Sequence, residues 1–319
     1  MGVEILQLPK LKIGGLLPKY PIVQGGMAVR LSTNNLAAAV ANAGGIGLIA
    51  ASGMGTEELR QEIRLARQKS RGIIGINIMF AVSRFKELVF TALEEKIDLI
   101  VQGAGFSREI FRWCEEAKTP FVSIVASPKL AKIAQNLGAS AVVAEGREAG
   151  GHLATEYSLR EILPKIKEVI SIPVIAAGGI IDVYDMRQAF ELGADGVQMG
   201  IRFAASEEAN GAPALKDYYL KAKKEDIVLV PSPVGLPGRA LKNEFTEKIL
   251  AGKVKPPLAC ESCLKKCKRN FCIMQALNNA QQGDLKEGLI FAGEYIEKIT
   301  EILPAGKIIE GLVMQYQKI

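Results

Sequence analysis

The chain has 319 residues and a formal net charge of +6; 49% of its residues are hydrophobic, only 6% are aromatic, and 32 are glycines. This length predicts one large domain, or one domain with an insertion, and the composition is typical of an α/β protein. The modest charge argues against nucleic-acid binding, and the lack of an apolar run of ~20 residues or of a signal-peptide pattern predicts a cytoplasmic protein without a membrane segment.

Short apolar runs alternate with helical patterns along the first two thirds of the chain. The predicted strands are YPIVQGG, IGLIAAS, GIIGINIMF, IDLIVQGAG, TPFVSIVAS, ASAVVAEG, IPVIAAGG and ADGVQMGIRF, and each but the last precedes a predicted helix. The strands are apolar almost throughout, which is typical of a parallel sheet covered by helices. Eight such units predict a (β/α)₈ TIM barrel, which we favour over a doubly wound open sheet.

The alternation ends after Phe203, where proline, glycine and charged residues become frequent. We predict that residues 206–285 form a smaller, mostly helical inserted region, which carries substrate-contacting residues and a cluster of cysteines. Residues 1–205 and 286–319 are then assigned to the barrel. Its last helix is predicted within KEGLIFAGEYIEKITEIL, residues 286–303.

Glycines and amides stand where six of the predicted strands end. These are the ends at which the active sites of TIM barrels lie, and the glycines after strands 7 and 8 take the usual phosphate position. Glycine lets a ligand approach the backbone, and an amide offers both a donor and an acceptor. We therefore predict a phosphate-bearing cofactor, bound by residues that include Gly25, Gly26, Met27, Asn77, Gln102, Glu145, Gly150, Gly151, Ala177, Gly178, Gly179, Gln198, Met199 and Gly200.

Several motifs in this order resemble those of the nitronate monooxygenase family, also called 2-nitropropane dioxygenases, and those of its sister group, the FMN-dependent enoyl-acyl-carrier-protein reductases. They are PIVQGGMA, LAAAVANAGGIGLIA, GINIM, AEGREAGGH, IPVIAAGGI, GADGVQMGIRF and GLPGRALKN. The resemblance implies an FMN-binding TIM barrel with a small inserted substrate domain. It assigns flavin contacts to most of the residues just named, and the contact at Gly151 comes from the resemblance alone. Glu145, Gly150 and Ala177 are our additions. Two departures are Ile201, where the family usually has threonine, and Leu153, where glycine is frequent.

His152 is the only histidine of the chain and follows two glycines at the end of the sixth predicted strand. Imidazole titrates near neutral pH, so this residue can exchange a proton with a substrate or orient it. We predict a catalytic role for His152, against the alternative that it is an ordinary polar residue of a loop.

Three functions remain open on the sequence. The favoured one is FMN-dependent oxidation of nitronates or nitroalkanes. The first alternative is an enoyl-acyl-carrier-protein reductase, which uses NADH or NADPH and binds acyl carrier protein. The second is a flavin electron carrier or quinone reductase. A small-molecule substrate is expected in the first two, and a homodimer is compatible with all three.

Four of the five cysteines lie within CESCLKKCKRNFC, at positions Cys260, Cys263, Cys267 and Cys272. In a cytoplasmic protein such clustering favours metal or redox chemistry over disulfides. If the first part is helical, three of the thiols share one face. We predict an iron–sulfur cluster or a zinc ion here, with four packed thiols as the alternative. Cys114 is predicted to be buried and inert.

Overall fold

The computed structural model describes residues 6–103 and 105–318. The first five residues, which belong to the N-terminal stretch searched for a signal peptide, lie outside the described part. Within it, no helix combines the length and the apolar character needed to cross a membrane.

Eight parallel strands close into a barrel, which confirms the predicted TIM-barrel fold. The last strand pairs with the first through Val23 and Gln198, and this pairing closes the sheet. A short additional strand, β7 (Gly151–His152), lies outside the barrel. The barrel strands are β1 (Ile22–Gln24), β2 (Ile46–Ala50), β3 (Ile73–Met79), β4 (Leu99–Gly103), β5 (Phe121–Val125), β6 (Ala141–Glu145), β8 (Val174–Ala177) and β9 (Gly196–Met199).

Amphipathic helices surround the barrel and begin where the sequence supplies capping residues. Asp182, for example, accepts hydrogen bonds from the backbone N–H groups of Tyr184 and Asp185, both at 2.9 Å, and so fixes the start of one helix. The helices between the barrel strands are α1 (Asn34–Asn42), α2 (Thr56–Lys69), α3 (Phe85–Glu94), α4 (Glu109–Glu116), α5 (Pro128–Asn136), α6 (Leu159–Val169) and α7 (Val183–Glu191), and a short helix, α8 (Ile201–Ala204), follows β9.

The helix that completes the ring lies further along the chain than predicted. Residues 286–303 contain only a 3₁₀ turn at Ile296–Lys298, whereas the eighth barrel helix is Ala305–Tyr316. This helix packs against α1 and α7 and buries Ile309, Leu312 and Val313 between them. The prediction was wrong because the apolar residues of 286–303 are buried without forming an α-helix. Ile290, Ile296 and Ile299 pack in one cluster with Leu215 and Tyr219.

The inserted range contains strands as well as helices. It holds α9 (Pro213–Lys221), β10 (Ile227–Pro231), β11 (Pro237–Leu241), α10 (Glu244–Leu250), α11 (Ile273–Gln282) and a 3₁₀ turn at Lys224–Asp226. β10 and β11 form an antiparallel pair, and β7 joins it as a third strand. This sheet has no clear signal in the sequence, because β7 has only two residues and its partner is remote in the chain.

Candidate active site

A cavity of about 240 Å³ lies at the carboxyl ends of the barrel strands. The predicted site residues converge on it from five strand ends, although they are spread over more than 170 positions. Its lining includes Gly25, Gly26, Met27, Asn77, Glu145, Gly150, Gly151, His152, Ala177, Gly178, Gly179, Gln198 and Gly200. The closed barrel accounts for this, because it brings the ends of parallel strands to one face.

Gln102 and Met199 were also predicted to bind the cofactor, but they do not line this cavity. The Met199 side chain is 1% exposed and packs in the hydrophobic core. Successive side chains of a strand point to opposite faces. Gln198 therefore faces the cavity and Met199 does not. Gln102 is buried, and its amide donates to the backbone oxygen of Gly105 at 3.2 Å.

The first strand end is held by a network of buried side chains. Gln24 accepts a hydrogen bond from the N–H of Leu48 at 3.0 Å and donates one to the hydroxyl of Ser32 at 2.9 Å. The same hydroxyl accepts from the N–H of Met27 at 2.9 Å. Glycine at position 26 is required, because a β-carbon there would lie 2.2 Å from Cβ of Asn77.

The glycines after β8 adopt a conformation that other residues rarely take. Gly178 and Gly179 have φ values of +101° and +73°. A β-carbon on Gly179 would lie 2.7 Å from the ring of Tyr295. At Gly200, which follows β9, a β-carbon would meet no protein atom within 4 Å. Gly179 therefore lets Tyr295 pack close to the backbone, whereas the backbone at Gly200 is open to a ligand.

These features fit FMN. The side-chain oxygen Oε1 of Gln198 is enclosed and has no hydrogen-bond partner within the described chain, yet Gln198 lines the cavity. Buried polar atoms are nearly always paired, so an unpaired acceptor beside a cavity points to a ligand that donates a hydrogen bond. The isoalloxazine and ribityl groups of FMN carry such donors. Gly178, Gly179 and Gly200 leave room for its phosphate.

His152 enters the cavity from the short strand β7. This strand pairs with β11, where His152 is opposite Gly238 and Gly151 is opposite Arg239. The guanidinium of Arg239 donates to the backbone oxygens of Ala149 at 3.1 Å and Arg147 at 2.8 Å. The inserted region thus holds the glycine-rich loop that carries the histidine.

The imidazole of His152 lies between a hydroxyl group and an aromatic ring. Its Nε2 is 2.8 Å from the Oγ of Ser232, and its ring meets the ring of Phe291 edge to face, with centroids 5.2 Å apart. Burial lowers the pKa of His152 to about 4, so the ring is neutral at physiological pH. Burial also raises the pKa of Glu145, at the end of β6, to about 7.

Several lining residues were missed by the sequence analysis. They share a position outside the strand ends, and most come from the inserted region or the segment after it. They include Leu31, Tyr219, Leu277, Phe291 and Tyr295, and behind them Ser232 contacts His152. Of these residues, only Ser232 could have been found from the sequence, because it lies three residues before the family-like motif GLPGRALKN.

The four clustered cysteines do not form the predicted iron–sulfur or zinc site. Among the described residues, which include all four, no set of three or more cysteine, histidine or acidic side chains is placed to hold a metal ion. Cys260 is exposed, and Cys263, Cys267 and Cys272 are half-buried.

The reason for this lies in the backbone of the cysteine segment, which is not helical before α11. The N–H of Ser83 donates to the oxygen of Cys263 at 3.0 Å, and the N–H of Lys265 donates to the oxygen of Ala81 at 2.9 Å. These bonds tie the segment to the loop after β3. The thiols therefore do not share the helix face on which the prediction depended.

Comparisons with known proteins agree with this geometry. The family model described as nitronate monooxygenase matches residues 10–88 and 73–315. A probable nitronate monooxygenase from Staphylococcus aureus (strain JH9) is 30% identical over 276 residues, which are 72% of this chain and 78% of that protein.

Two solved structures extend the comparison over nearly the whole chain. FabK from Thermotoga maritima is 37% identical, with 94% of this chain and 93% of that chain covered and a TM-score of 0.85. A nitroalkane oxidase from Streptomyces ansochromogenes is 25% identical, with 94% and 96% covered and a TM-score of 0.80.

Proposed function

The chain belongs to the nitronate monooxygenase family, and from this premise we propose that it oxidises nitronates, with FMN as its cofactor. It is an FMN-dependent oxidoreductase. FMN, when bound, supplies the acceptor for the electrons that leave the substrate. The protein holds the cofactor and the substrate and supplies the polar contacts between them.

The neutral imidazole of His152 is the observation that carries this proposal. The hydroxyl of Ser232 already accepts from the N–H of Val234 at 3.3 Å, so its own proton is available to Nε2 of His152. In that arrangement the remaining ring proton is on Nδ1, which donates to the substrate. A nitronate carries its negative charge on two oxygens and is a strong acceptor.

The low pKa of His152 also favours the anion over its parent nitroalkane. A base whose pKa is about 4 removes a proton from a carbon acid inefficiently near neutral pH. A nitronate has already lost that proton. We therefore assign His152 the task of orienting the anion, and Gly25, Gly26, Asn77, Gln198 and the glycines after β8 and β9 the task of holding FMN.

Enoyl-thioester reduction is the second candidate. The greater identity to FabK than to the nitroalkane oxidase, 37% against 25%, favours it. NADH or NADPH is the electron donor in this alternative, and His152 donates to the thioester carbonyl. Acyl carrier protein is then a partner. Because it is acidic, it needs free basic residues near the cavity entrance. One candidate, Lys216, instead donates to the backbone oxygen of Glu207 at 2.8 Å.

Anaerobic reduction of the bound flavin separates these functions. The flavin is mixed in turn with a nitronate, its parent nitroalkane, NADH and NADPH, and its absorbance is followed. We expect fast bleaching by the nitronate and slower bleaching by the nitroalkane. Fast bleaching by a pyridine nucleotide, followed by reoxidation with an enoyl thioester, contradicts the proposal and supports the reductase. Reoxidation by a quinone alone, with no response to nitronate or thioester, indicates an electron carrier.

A further inference from the structure

Tyr219 is a cavity-lining residue that neither the sequence motifs nor the assigned cofactor contacts account for. It belongs to α9 in the inserted region, is 2% exposed, and lines the cavity that also holds His152. Its neighbour Tyr218 differs in both respects. The hydroxyl of Tyr218 donates to the backbone oxygen of Lys242 at 2.6 Å and does not line the cavity.

The hydroxyl of Tyr219 makes no hydrogen bond with any described residue, and burial alone raises its pKa. A buried tyrosine hydroxyl normally finds a partner. The buried side-chain atoms without a partner in the described chain belong to Gln102, Gln198 and Asn270, and the Tyr219 hydroxyl is not among them. The hydroxyl therefore keeps some exposed surface, and the cavity that Tyr219 lines is the space to which it has access.

The surroundings of Tyr219 make this hydroxyl a fixed donor. Its ring packs in an apolar cluster, so it has little freedom to turn toward another polar group. Because the phenol stays neutral throughout the physiological pH range, its proton is always available. In an apolar environment, a hydrogen bond from such a group is stronger than in water. The cluster includes Ala204, Ala205, Leu215, Leu241, Ile290 and Ala292.

The position of Tyr219 in the lining points to the substrate rather than the cofactor. The residues assigned to FMN come from the strand ends and the loops directly after them. Tyr219 comes from a helix of the inserted region and shares one apolar cluster with Leu31, which also lines the cavity. Tyr295 also lines the cavity and contacts the same cluster, but its ring lies beside Gly179, one of the glycines assigned to FMN. Away from those glycines, Tyr219 supplies the side-chain hydroxyl.

We propose that the Tyr219 hydroxyl donates a hydrogen bond to an oxygen atom of the substrate. This inference rests on the proposed function, in which His152 donates to one nitronate oxygen and Tyr219 donates to the other. Both side chains line the same cavity, so two donors are available to one anion that has two oxygens. A site of this kind discriminates against analogues that lack the oxygen, because its buried donors are then left unpaired.

The test compares Tyr219→Phe with Tyr218→Phe in the FMN-loaded enzyme. We expect Tyr219→Phe to lower the second-order rate constant for anaerobic flavin reduction by a nitronate about 10-fold or more, the scale of a hydrogen bond to a charged group. FMN affinity and the unfolding midpoint should stay at the wild-type values. Tyr218→Phe should leave the rate constant unchanged, because its hydroxyl is outside the cavity.

An equilibrium measurement supplements the rate. 2-Methyl-2-nitropropane has the nitro oxygens but no α-proton, so it binds without being oxidised. Its binding is followed by the change in flavin absorbance. We expect a several-fold weaker affinity in Tyr219→Phe only. Unchanged rate and affinity overturn the inference. Weaker FMN binding in Tyr219→Phe also overturns it, because the hydroxyl then donates to the cofactor. A lowered unfolding midpoint overturns it as well, because the hydroxyl then stabilises the protein fold.

Failure of the proposed function is recognised separately. If no nitronate reduces the wild-type flavin, the nitronate assignment fails whatever Tyr219 does. The same two variants are then compared with an enoyl thioester, whose carbonyl oxygen is an equivalent acceptor. A loss of about 10-fold in Tyr219→Phe alone supports the inference in that reaction, and equal rates for both variants and the wild type contradict it.

Discussion

Nε2 of His152 lies 2.8 Å from Oγ of Ser232, although the two residues are 80 positions apart in the chain. One belongs to β7 and the other follows β10, and both strands are part of the small antiparallel sheet. The sheet therefore holds the imidazole in one orientation, because Ser232 contacts its Nε2 atom.

Replacing Ser232 tests this relationship. We expect Ser232→Ala to lower kcat about 10-fold with FMN still bound, because the imidazole loses the partner that fixes its orientation and tautomer. Ser232→Thr keeps the hydroxyl and should recover most of the activity. Steady-state kinetics on the substrate found by flavin reduction provide the measurement. Equal activity of the alanine variant and the wild type contradicts the prediction.

Replacing His152 tests the donor itself. We expect His152→Asn to lower turnover by about 10² or more, as loss of a donor to a developing or bound anion does in other enzymes. The flavin content after purification should match that of the wild type, because the cofactor is assigned to other residues. If the variant retains the wild-type turnover, His152 has no catalytic role and is an ordinary polar residue.

Gly200 offers a probe of the cofactor site. A methyl group at this position meets no protein atom within 4 Å, and its φ of −95° is allowed for alanine. We therefore expect Gly200→Ala to fold normally but to bind FMN at least 10-fold more weakly, measured by flavin fluorescence. Gly311→Ala, which also meets no atom within 4 Å, is the matched control. Equal FMN affinity in the two variants argues against a phosphate beside Gly200.

Glu145 and His152, two titratable groups that line the cavity, predict opposite effects of pH on stability. The pKa of His152 is about 4 in the folded protein and 6.5 when unperturbed. The ring takes up a proton more readily in the unfolded chain, so the folded protein loses stability as the pH falls from 6.5 toward 4. The pKa of Glu145 is raised from 4.5 to about 7, so its burial costs stability as the pH rises from 4.5 through 7.

Denaturant unfolding of flavin-free protein at pH 5 and pH 8 measures these effects. Relative to the wild type, we expect His152→Asn to be more stable at pH 5 than at pH 8. Glu145→Gln should show the reverse, because it removes a carboxyl whose ionisation the fold opposes. Each unit of pKa shift corresponds to about 1.4 kcal/mol at full effect. The same pH response in both variants contradicts the assignment.

The cysteines are expected to fall into two classes of reactivity. Cys114 is 1% exposed, and burial raises its pKa to about 12. We expect an aromatic disulfide reagent to label Cys260 first and the half-buried thiols more slowly, and to leave Cys114 unlabelled until denaturant is added. Cys114→Ala should abolish the denaturant-dependent fraction. A fifth thiol that reacts in the native protein contradicts this ordering.

The sequence by itself determined the barrel and the location of its site. Apolar strands followed by amphipathic helices are local patterns, and eight repeats of them have essentially one way to bury their apolar faces. Glycine and amide residues at the strand ends, such as Gly26, Asn77 and Gln198, then have to meet at one face. The eighth barrel helix, Ala305–Tyr316, was not predicted, because the apolar residues of 286–303 have a spacing that is just as typical of a helix.

Only the tertiary structure decided what surrounds His152. The contacts of Ser232 and Tyr219 arise from strands and helices that pair across long stretches of chain, and no local period encodes such pairing. The cysteine segment is the converse case. Its spacing indicated a metal site, but backbone hydrogen bonds to Ala81 and Ser83 hold the segment along the loop after β3, and no metal-holding set forms among the described residues. The shared face predicted for three of the thiols required a helix, and the backbone before α11 is not helical.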